Sequence, residues 1–362
     1  SKLSWAIFWV KQDKNKMKIF FLSFFLLLTS STNFIYAESI KIGLGSCLDQ
    51  DYPQPIWQPI EKEDLNYFIF LGDNVYGDSR FGNLRKMKRA YYKQKKVLPS
   101  FLNDLEVYAI WDDHDFGIND GGGDYRFKRK AQKLFLEFWE ISQNDERSNR
   151  DGIYYSKDET FFDKRFKFIF LDTRFFRSEL VGKKSNYTEN RDKNATILGI
   201  DQWKWFENQL KDEFDFLFIF SSIQIIAENH RFEKWSNFPY ERDKFFNSIE
   251  QFKDKTVLFS GDRHRAGIYK KGEIIEITSS SMNKPGSSFD ETDKYLVGVT
   301  YPEVNYSILE IFEKRISLKI KDIDGNTLNS IELELNHWNS PKIYINVIVQ
   351  IQFLLYDLVI IF

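Results

Sequence analysis

Residues 107–115 read VYAIWDDHD, a strand-length apolar run that stops at three carboxylates and an imidazole. Continuous apolar runs of this length are typical of strands that are buried on both faces of a sheet. The same pattern, an apolar run that ends abruptly in polar or acidic residues, occurs also at 40–44, 67–71, 166–171, 216–220 and 256–259. These runs predict the central strands of the fold.

Helical segments lie between the predicted strands. Apolar residues recur at helical spacing over 124–142, and 201–214 is a second helix candidate with Asp201 as its N-cap. Strands that alternate with helices indicate an α/β domain, in which ligands bind beyond the carboxyl ends of the strands. We therefore expect the polar strand ends to meet in one cleft, although they lie far apart in sequence.

The last part of the chain has a different pattern. Residues 306–311 and 316–320 are strand-like, Asp324-Gly325-Asn326 is a turn signal, and 330–335 alternates between apolar and polar residues. This pattern predicts an antiparallel meander that closes the domain. Since no internal repeat or clear linker divides the sequence, we predict one catalytic domain over 38–336.

The overall composition limits the classes of function. The chain has 362 residues, with 36 phenylalanines for a large apolar core, and its 51 basic and 53 acidic residues give a net charge of −2. An obligatory nucleic-acid binder normally shows a basic excess, so we expect no nucleic-acid partner. Cys47 is the single cysteine, which excludes an intrachain disulfide. It is an inert buried thiol, a reactive thiol or a ligand.

Both ends of the chain carry apolar segments. Residues 17–37 have a short positive start, an apolar run and a small residue before Glu38, which favours a Sec-type signal peptide over a membrane anchor. We therefore expect a secreted protein, periplasmic or extracellular, and we expect a monomer. The apolar C-terminal tail, 337–362, contains Asp357. It is a poor anchor, an extra buried element or a read-through artefact, and only the first would imply membrane contact.

The acidic run 112–115 points to bound cations. It follows Trp111 directly, so its carboxylates repel one another next to a buried strand. A solvated acidic loop is the alternative, but the buried strand argues against full solvation. Cations are the usual remedy for packed carboxylates, which makes Asp112 and Asp113 candidate ligands. Asn119, on the glycine-rich loop that follows, offers a further oxygen ligand.

Other strand ends carry further donors. Asp262 and His264 are two residues apart, so in extended backbone both point to the same side. Asp73 can bridge two cations, and Tyr76 offers a hard anionic ligand suited to ferric iron; a turn with surface acids is the alternative. Cys47 also follows a strand, and a thiolate among carboxylates, tyrosine and histidine is a suitable metal ligand.

Arg174 follows the fourth predicted strand and can hold an anionic substrate by paired hydrogen bonds. The alternative is a salt bridge to Asp172 or another acid. The sequence contains no Gly-x-Ser-x-Gly elbow and no P-loop. Metal-assisted hydrolysis is the chemistry that remains.

Five motifs carry a family resemblance. They are, in order, Gly45-Ser46-Cys47; Gly72-Asp73-x-x-Tyr76-x-Asp78; Trp111-Asp112-Asp113-His114-Asp115 with Asn119-Asp120; Leu171-Asp172-Thr173-Arg174; and Ser260-Gly261-Asp262-x-His264. Together they resemble the alkaline phosphatase D (PhoD-like) family of the metallophosphoesterase superfamily, over about residues 40–335. The resemblance implies a two-sheet αββα sandwich and a phosphoric ester hydrolase with a multi-metal centre.

The resemblance also implies a ligand set. The family is similar to purple acid phosphatases in its Gly-Asp-x-x-Tyr motif, whose tyrosine binds ferric iron. By that resemblance three residues would hold Fe3+, one of them also bridging to a second ion: Cys47, Tyr76 and the bridging Asp73. Four residues would help to complete divalent sites, expected to hold Ca2+: Asp113, Asn119, Asp262 and His264. Whether Asp112 or Asp113 is the direct ligand stays open.

The implied mechanism is attack on phosphorus by metal-activated hydroxide. A metal lowers the pKa of its water from about 15.7 toward about 7 and neutralises charge on the phosphoryl oxygens. His114 would protonate the leaving oxygen or orient the phosphate. Arg174 would steady the substrate, a small phosphomonoester or phosphodiester.

Two alternatives to this function stay open. A phosphodiesterase or phospholipase-like enzyme keeps the fold and changes the substrate. A non-catalytic metal-binding scaffold, or a surface protein stabilised by calcium, keeps the metals without turnover, although the complete set of donor clusters speaks against it.

Overall fold

Strands form at each of the predicted apolar runs. The computed structural model of the protein describes residues 39–287, 291–335 and 343–346; the predicted signal peptide and most of the predicted tail lie outside these ranges. The described residues form fifteen strands: β1 Ile40–Gly45, β2 Tyr67–Leu71, β3 Glu106–Ile110, β4 Tyr155–Phe161, β5 Lys164–Phe170, β6 Val181–Lys183, β7 Asn186–Thr188, β8 Phe216–Phe220, β9 Thr256–Ser260, β10 Gly267–Lys271, β11 Ile274–Thr278, β12 Asn305–Ile311, β13 Arg315–Asp322, β14 Thr327–Glu334 and β15 Ile343–Asn346.

Helices connect the strands. The same residues form six α-helices: α1 Trp57–Glu61, α2 Arg85–Val97, α3 Asp113–Phe116, α4 Lys128–Phe138, α5 Gly199–Gln209 and α6 Pro239–Ile249. They also form four short 3-10 helices: Ser100–Asp104, Glu146–Ser148, Trp235–Asn237 and Glu250–Lys255. The two helices predicted from apolar spacing are present as α4 and α5, and both are shorter than predicted. None of the helices within the described ranges is long and apolar enough to cross a membrane.

The predicted N-cap of α5 is wrong. Asp201 lies in the first turn of the helix, whose N-cap is Leu198. The hydroxyl of Thr196 accepts a hydrogen bond from the amide of Gly199 at 2.8 Å, and the carboxylate of Glu241 accepts one from the amide of Leu198 at 2.9 Å. The free amides at the start of α5 are thus satisfied by a side chain from α6, which a local pattern cannot reveal.

Two mixed sheets make up the body of the protein. The strand order of the first sheet is β15-β14-β13-β12-β1-β2-β3, and that of the second is β10-β11-β9-β8-β5-β4. In the first sheet β1, β2 and β3 are parallel, and the predicted meander adds to β1 antiparallel through β12. In the second sheet β5, β8, β9 and β11 are parallel. Residues 343–346 of the predicted tail pair with β14 at the edge of the first sheet.

Aromatic rings fill the space between the two sheets. On the second sheet the rings of Tyr155, Phe170, Phe220 and Phe259 follow one another with centroid separations of 4.3, 4.6 and 4.9 Å. Tyr108 of the first sheet contacts Phe170 across the interface at 5.4 Å. All five side chains are buried. The abundance of phenylalanine therefore serves a core between the sheets, where large rings bury much apolar area.

Helices cover the outer faces. Trp203 and Phe206 of α5 and Phe245 of α6 form a second buried cluster with the outward-facing side chains of the second sheet. On the first sheet, Trp57 of α1 packs against Phe68 of β2 at 5.2 Å. The result is the αββα sandwich that the resemblance implies, with the carboxyl ends of the parallel strands left free for a site.

Candidate metal centre and active site

A cleft of about 260 Å³ lies at the carboxyl ends of the parallel strands of both sheets. Six of the predicted site residues line it: Asp73, Asp113, His114, Asn119, Asp262 and His264. Cys47, Tyr76 and Asp112 are buried beside these residues. The structure thus brings together side chains that the sequence places on four different strand ends.

Most of these strand ends turn through a left-handed backbone conformation. Positive φ angles occur at four candidate ligands: Cys47 (55°), Asp73 (53°), Asp262 (64°) and His264 (52°). Non-glycine residues rarely adopt this conformation, and it persists only where the surrounding structure imposes it, as at functional sites. Gly72 makes the turn at β2 possible, because its φ is 104° and an added Cβ would lie 2.6 Å from the Cβ of Asp112.

The first donor group contains Cys47, Asp73 and His264, whose ligand atoms lie within 4.8 Å of one another. The hydroxyl of Tyr76 donates to Oδ2 of Asp73 at 3.2 Å and lies 3.4 Å from Nε2 of His264. Nδ1 of His264 faces the carbonyl oxygen of Lys284 and donates to it, which leaves the lone pair of Nε2 directed at the group. This group therefore combines a sulfur, a carboxylate, an imidazole and a phenol around one position.

Two further donor groups share carboxylates. One contains Asp73, Asp113 and His114, and the other contains Asp112, Asp113 and Asp262. Oδ2 of Asp112 and Oδ1 of Asp113 are buried and have no hydrogen-bond partner among the described residues. Buried polar atoms are normally satisfied, so these oxygens fit a bound cation. Asp73 and Asp113 each belong to two of the donor groups, so each could serve two cations.

The protonation of the cluster reflects burial of like charges. Burial raises the pKa of the Cys47 thiol to about 12, that of Asp262 to about 6, and that of Asp73 well above its ordinary range. Asp113 is the exception: burial raises its pKa most, but the charges of His114 and Arg174 and the hydrogen bond from the Asp120 amide together lower it to about 2. Metal ligands must be deprotonated, so binding of cations here releases protons.

His114 is the cationic side chain that lines the cleft next to Asp73 and Asp113. Its Nδ1 lies 2.8 Å from Oδ2 of Asp78, and its backbone amide donates to Oδ1 of Asp73 at 3.2 Å. Burial would lower its pKa, but Asp113, Asp73 and Asp78 raise it to about 10. The imidazolium faces the cleft and can donate a proton there.

Arg174 does not face the cleft. It is fully buried, its Nε donates to Oδ1 of Asp112 at 2.6 Å, and its Nη1 pairs with Oε2 of Glu233 at 2.5 Å. Asp172 instead accepts the indole N–H of Trp111 at 2.9 Å. The geometry favours the alternative of an ion pair with another acid, and Arg174 pairs with two, Asp112 and Glu233.

Sequence reasoning missed the wall of the cleft beside the second sheet. The lining residues that it did not assign include Phe232, Glu233, Arg265 and Glu291. They lie in loops or beyond the last ligand motif, where no strand-end signal marks them.

The comparisons with known proteins agree with this geometry. A family model, the PhoD-like phosphatase, matches residues 42–307. The chain belongs to the PhoD-like phosphatase family. It is a phosphoric ester hydrolase, and its αββα fold is that of the metallophosphoesterases. No curated protein matches its sequence.

Solved structures match the PhoD-like chain at low identity. The structure of PhoD is 15% identical, with 86% of this chain and 72% of that chain covered and a TM-score of 0.65. GAP50, described as the anchor in the inner membrane complex of Plasmodium, is 16% identical over 81% of this chain and 87% of its own, with a TM-score of 0.58. Purple acid phosphatase PPD1 from yellow lupin seeds is 10% identical, with a TM-score of 0.56; the match covers 82% of this chain and 54% of that one. At these identities the likeness establishes the fold.

Proposed function

We propose that the protein is a metal-dependent phosphoesterase that uses Fe3+ and Ca2+ to hydrolyse small phosphomonoesters, phosphodiesters or both. The observation that carries this proposal is the chain of three donor groups joined by two shared carboxylates, Asp73 and Asp113. Shared carboxylates suit a centre in which adjacent cations act on one phosphoryl group.

The donor types support one iron site and oxygen-rich divalent sites. Cys47, Tyr76 and His264 surround one side of Asp73 and supply the thiolate, phenolate and imidazole that suit iron. His264 is thus proposed as an iron ligand, whereas the resemblance implied a divalent site for it. On the other side the donors are oxygens, which suit Ca2+: Asp112, Asp113, Asp262 and, from the cleft lining, Asn119.

The chain's own residues perform the remaining tasks. Bound cations would supply a water of lowered pKa and would neutralise charge on the phosphoryl oxygens. His114, oriented by Asp78, holds the proton that the leaving oxygen receives. Arg174 fixes the Asp112 carboxylate in position and opposes the burial that raises the pKa of Asp112, and Glu233 balances the second face of the guanidinium. We assign Arg174 a positioning role.

Metal analysis and spectroscopy of matched tyrosine variants test the iron site. Tyr76→Phe should lose the visible charge-transfer absorption of ferric phenolate and most of the turnover, whereas Tyr52→Phe, an exposed tyrosine, should keep both. Cys47→Ala should lose iron and most turnover. Unchanged iron content in Cys47→Ala would remove the thiol from the site.

Turnover measurements establish the substrate range and distinguish the alternative functions. Paired monoester and diester substrates with the same leaving group distinguish a monoesterase from a diesterase or phospholipase-like enzyme. If the metal-loaded protein hydrolyses neither the monoester nor the diester, the scaffold alternative is favoured. This alternative is worth testing because GAP50, a protein of this fold, is described as an anchor.

We also propose that the enzyme is secreted, because 17–37 has the pattern of a signal peptide. N-terminal sequencing of the exported protein should find Glu38 as the first residue. Retention of residues 17–37 in the mature protein would contradict this proposal.

A further inference from the structure

The loop that follows β11 contacts three of the proposed iron ligands. The hydroxyl of Ser280 lies 3.1 Å from Sγ of Cys47 and accepts a hydrogen bond from the amide of His264 at 2.8 Å. The carbonyl oxygen of Lys284 accepts a hydrogen bond from Nδ1 of His264. The ammonium of the same lysine lies over the ring of Tyr76, 3.5 Å from its centroid. Lys284 thus reaches two of the ligands, one with its main chain and the other with its side chain.

A buried carboxylate holds this ammonium in place. Nζ of Lys284 donates to Oδ2 of Asp49 at 2.9 Å, and Asp49 is buried. The amide of Asp49 donates to Oδ1 of Asn283 at 2.7 Å, and its carbonyl oxygen accepts from Nδ2 of the same residue at 2.8 Å. The side chain of Lys284 is 37% exposed, so water screens part of its charge. The neighbours therefore fix the ammonium over the ring, and water moderates its field.

The lysine and its carboxylate lie outside the donor groups of the metal centre. The hydroxyl of Tyr76 donates to Asp73, and the ring of Tyr76 lies 4.3 Å from that of His114. Both of these neighbours belong to the donor groups, whereas Lys284 and Asp49 belong to none of those that the described residues form. The charge beside Tyr76 can therefore be changed without removal of a proposed ligand.

The ammonium acts on the electron density that Tyr76 offers as a ligand. A cation over an aromatic ring is attracted to its π electrons, and over a phenolate it draws density away from the oxygen. The oxygen then donates less to a bound metal, which remains a stronger Lewis acid. Charge transfer from phenolate to ferric iron moves an electron away from such a cation, so the absorption lies at shorter wavelength.

We propose that Lys284 is a positioning residue of the iron site: its ammonium limits electron donation by the Tyr76 phenolate, and its carbonyl oxygen orients His264. Asp49 holds the ammonium and offsets part of its charge. The inference rests on the proposed function, which places ferric iron among these donors. It extends that function to two residues that supply no ligand atom.

Visible absorption and the reduction potential of the iron-loaded full chain test this role. Lys284→Met removes the charge but keeps the length of the side chain and the carbonyl oxygen that faces His264. The ferric-phenolate band should move to longer wavelength, the reduction potential should fall, and kcat should drop by about 10-fold, the lower end for residues that support a metal ligand. Lys284→Arg should restore the wild-type band. Lys96→Met, which removes an ammonium 4.2 Å from the ring centroid of the exposed Tyr92, should change none of these quantities.

The carboxylate partner separates an effect of charge from a disturbance of structure. Asp49→Asn removes the negative charge that offsets Lys284, so the band should move to shorter wavelength and the reduction potential should rise. The double variant, Lys284→Met with Asp49→Asn, should return both quantities toward the wild-type values. A loop that is merely disturbed would instead shift the band in the same direction in both single variants.

Two outcomes would overturn the role of Lys284 alone: an unchanged band in Lys284→Met, and shifts in the same direction in Lys284→Met and Asp49→Asn. If Lys284→Met fails to fold, the direction of the Asp49→Asn shift decides. An iron-loaded wild type without a band that Tyr76→Phe removes would overturn the iron site and, with it, the role of Lys284. Opposite shifts in a protein that hydrolyses no phosphoester would overturn the proposed catalytic function and leave the role of Lys284 intact.

Discussion

The two sheets contribute opposite charges to the same cleft. The strand ends of the first sheet supply the thiol and carboxylates of Cys47, Asp73 and Asp113. The second sheet supplies Arg263, which lines the cleft after β9, and the fully buried Arg174 after β5, which pairs with Asp112 behind the cleft. In both sheets these residues lie beyond the carboxyl ends of parallel strands, but the first sheet contributes donors for cations and the second contributes guanidiniums that balance carboxylates.

Asp262 and His264 are the exception to this division. They follow β9 of the second sheet, yet their side chains join the donor groups of the first sheet. Both residues have a left-handed backbone conformation where the chain leaves β9. The set of donors is therefore complete only when the two sheets are docked, since neither sheet supplies all of them.

The largest expected effect comes from Asp73→Asn in the acidic half. The change removes a shared carboxylate, so metal content should fall and kcat should drop by more than about 100-fold, since even residues that only orient a metal ligand are worth about 10- to 100-fold. The exposed Asp51→Asn, which loses only a surface pair with Lys93, should keep metal and activity. Full metal content in Asp73→Asn would break the proposed division between the halves.

Arg174→Gln should be the most damaging change to stability in the basic half. It leaves the buried carboxylate of Asp112 without its paired guanidinium and leaves Glu233 with Arg177 alone. Removal of one partner of a buried ion pair typically costs about 3–5 kcal/mol of unfolding free energy. Chemical denaturation would measure this loss, and the exposed pair of Arg165 with Glu213 provides the control, where Arg165→Gln should cost at most about 1 kcal/mol.

The same variant separates the two roles considered for Arg174. An Arg174→Gln protein of unchanged stability but raised KM would show that the guanidinium holds substrate. Arg174 would then be a substrate-binding residue and not a positioning residue.

The two halves also differ in how far the sequence could predict them. Apolar runs and their abrupt ends place Cys47, Asp73 and Asp113 correctly at strand ends, because strand burial and strand-end ligands are local signals. The pairing of Arg174 with Asp112 joins residues 62 positions apart and depends on how the sheets dock. Glu291 has no local signal at all, since it meets Arg263 only through the tertiary fold.

His114→Gln should have a smaller effect that depends on the leaving group. Loss of a general acid should cost on the order of 100-fold in kcat, the lower end of its usual contribution, for alkyl phosphates, whose leaving oxygen needs a proton. The loss should be much smaller for para-nitrophenyl phosphate, whose leaving group departs without one. Comparison of the two substrates in steady-state kinetics would check this. An equal loss for both would instead indicate that His114 acts as a metal ligand, as its place with Asp73 and Asp113 permits.

The smallest expected effect is the pH dependence of stability in the chelator-treated protein. Burial raises the pKa of Asp262 to about 6 and that of Asp115 to about 7, above the 3.8 of an ordinary aspartate. Between these values the folded state binds more protons than the unfolded state, so stability should fall as pH rises. His114, whose pKa is raised from 6.5 to about 10, extends the fall in stability over the pH range between these two values.

Thermal unfolding with and without cations measures this effect. With chelator the Tm should be several degrees higher at about pH 5 than at about pH 7.5, and added Fe3+ and Ca2+ should shrink or reverse the difference, because metal affinity rises as ligands lose their protons. Asp262→Asn should reduce the change of Tm with pH, since it removes one of the carboxylic acids that lose a proton in this pH range. If the chelated protein instead becomes more stable toward about pH 7.5, the carboxylates of the first sheet are stable without cations. The two sheets would then not differ in their need for metal.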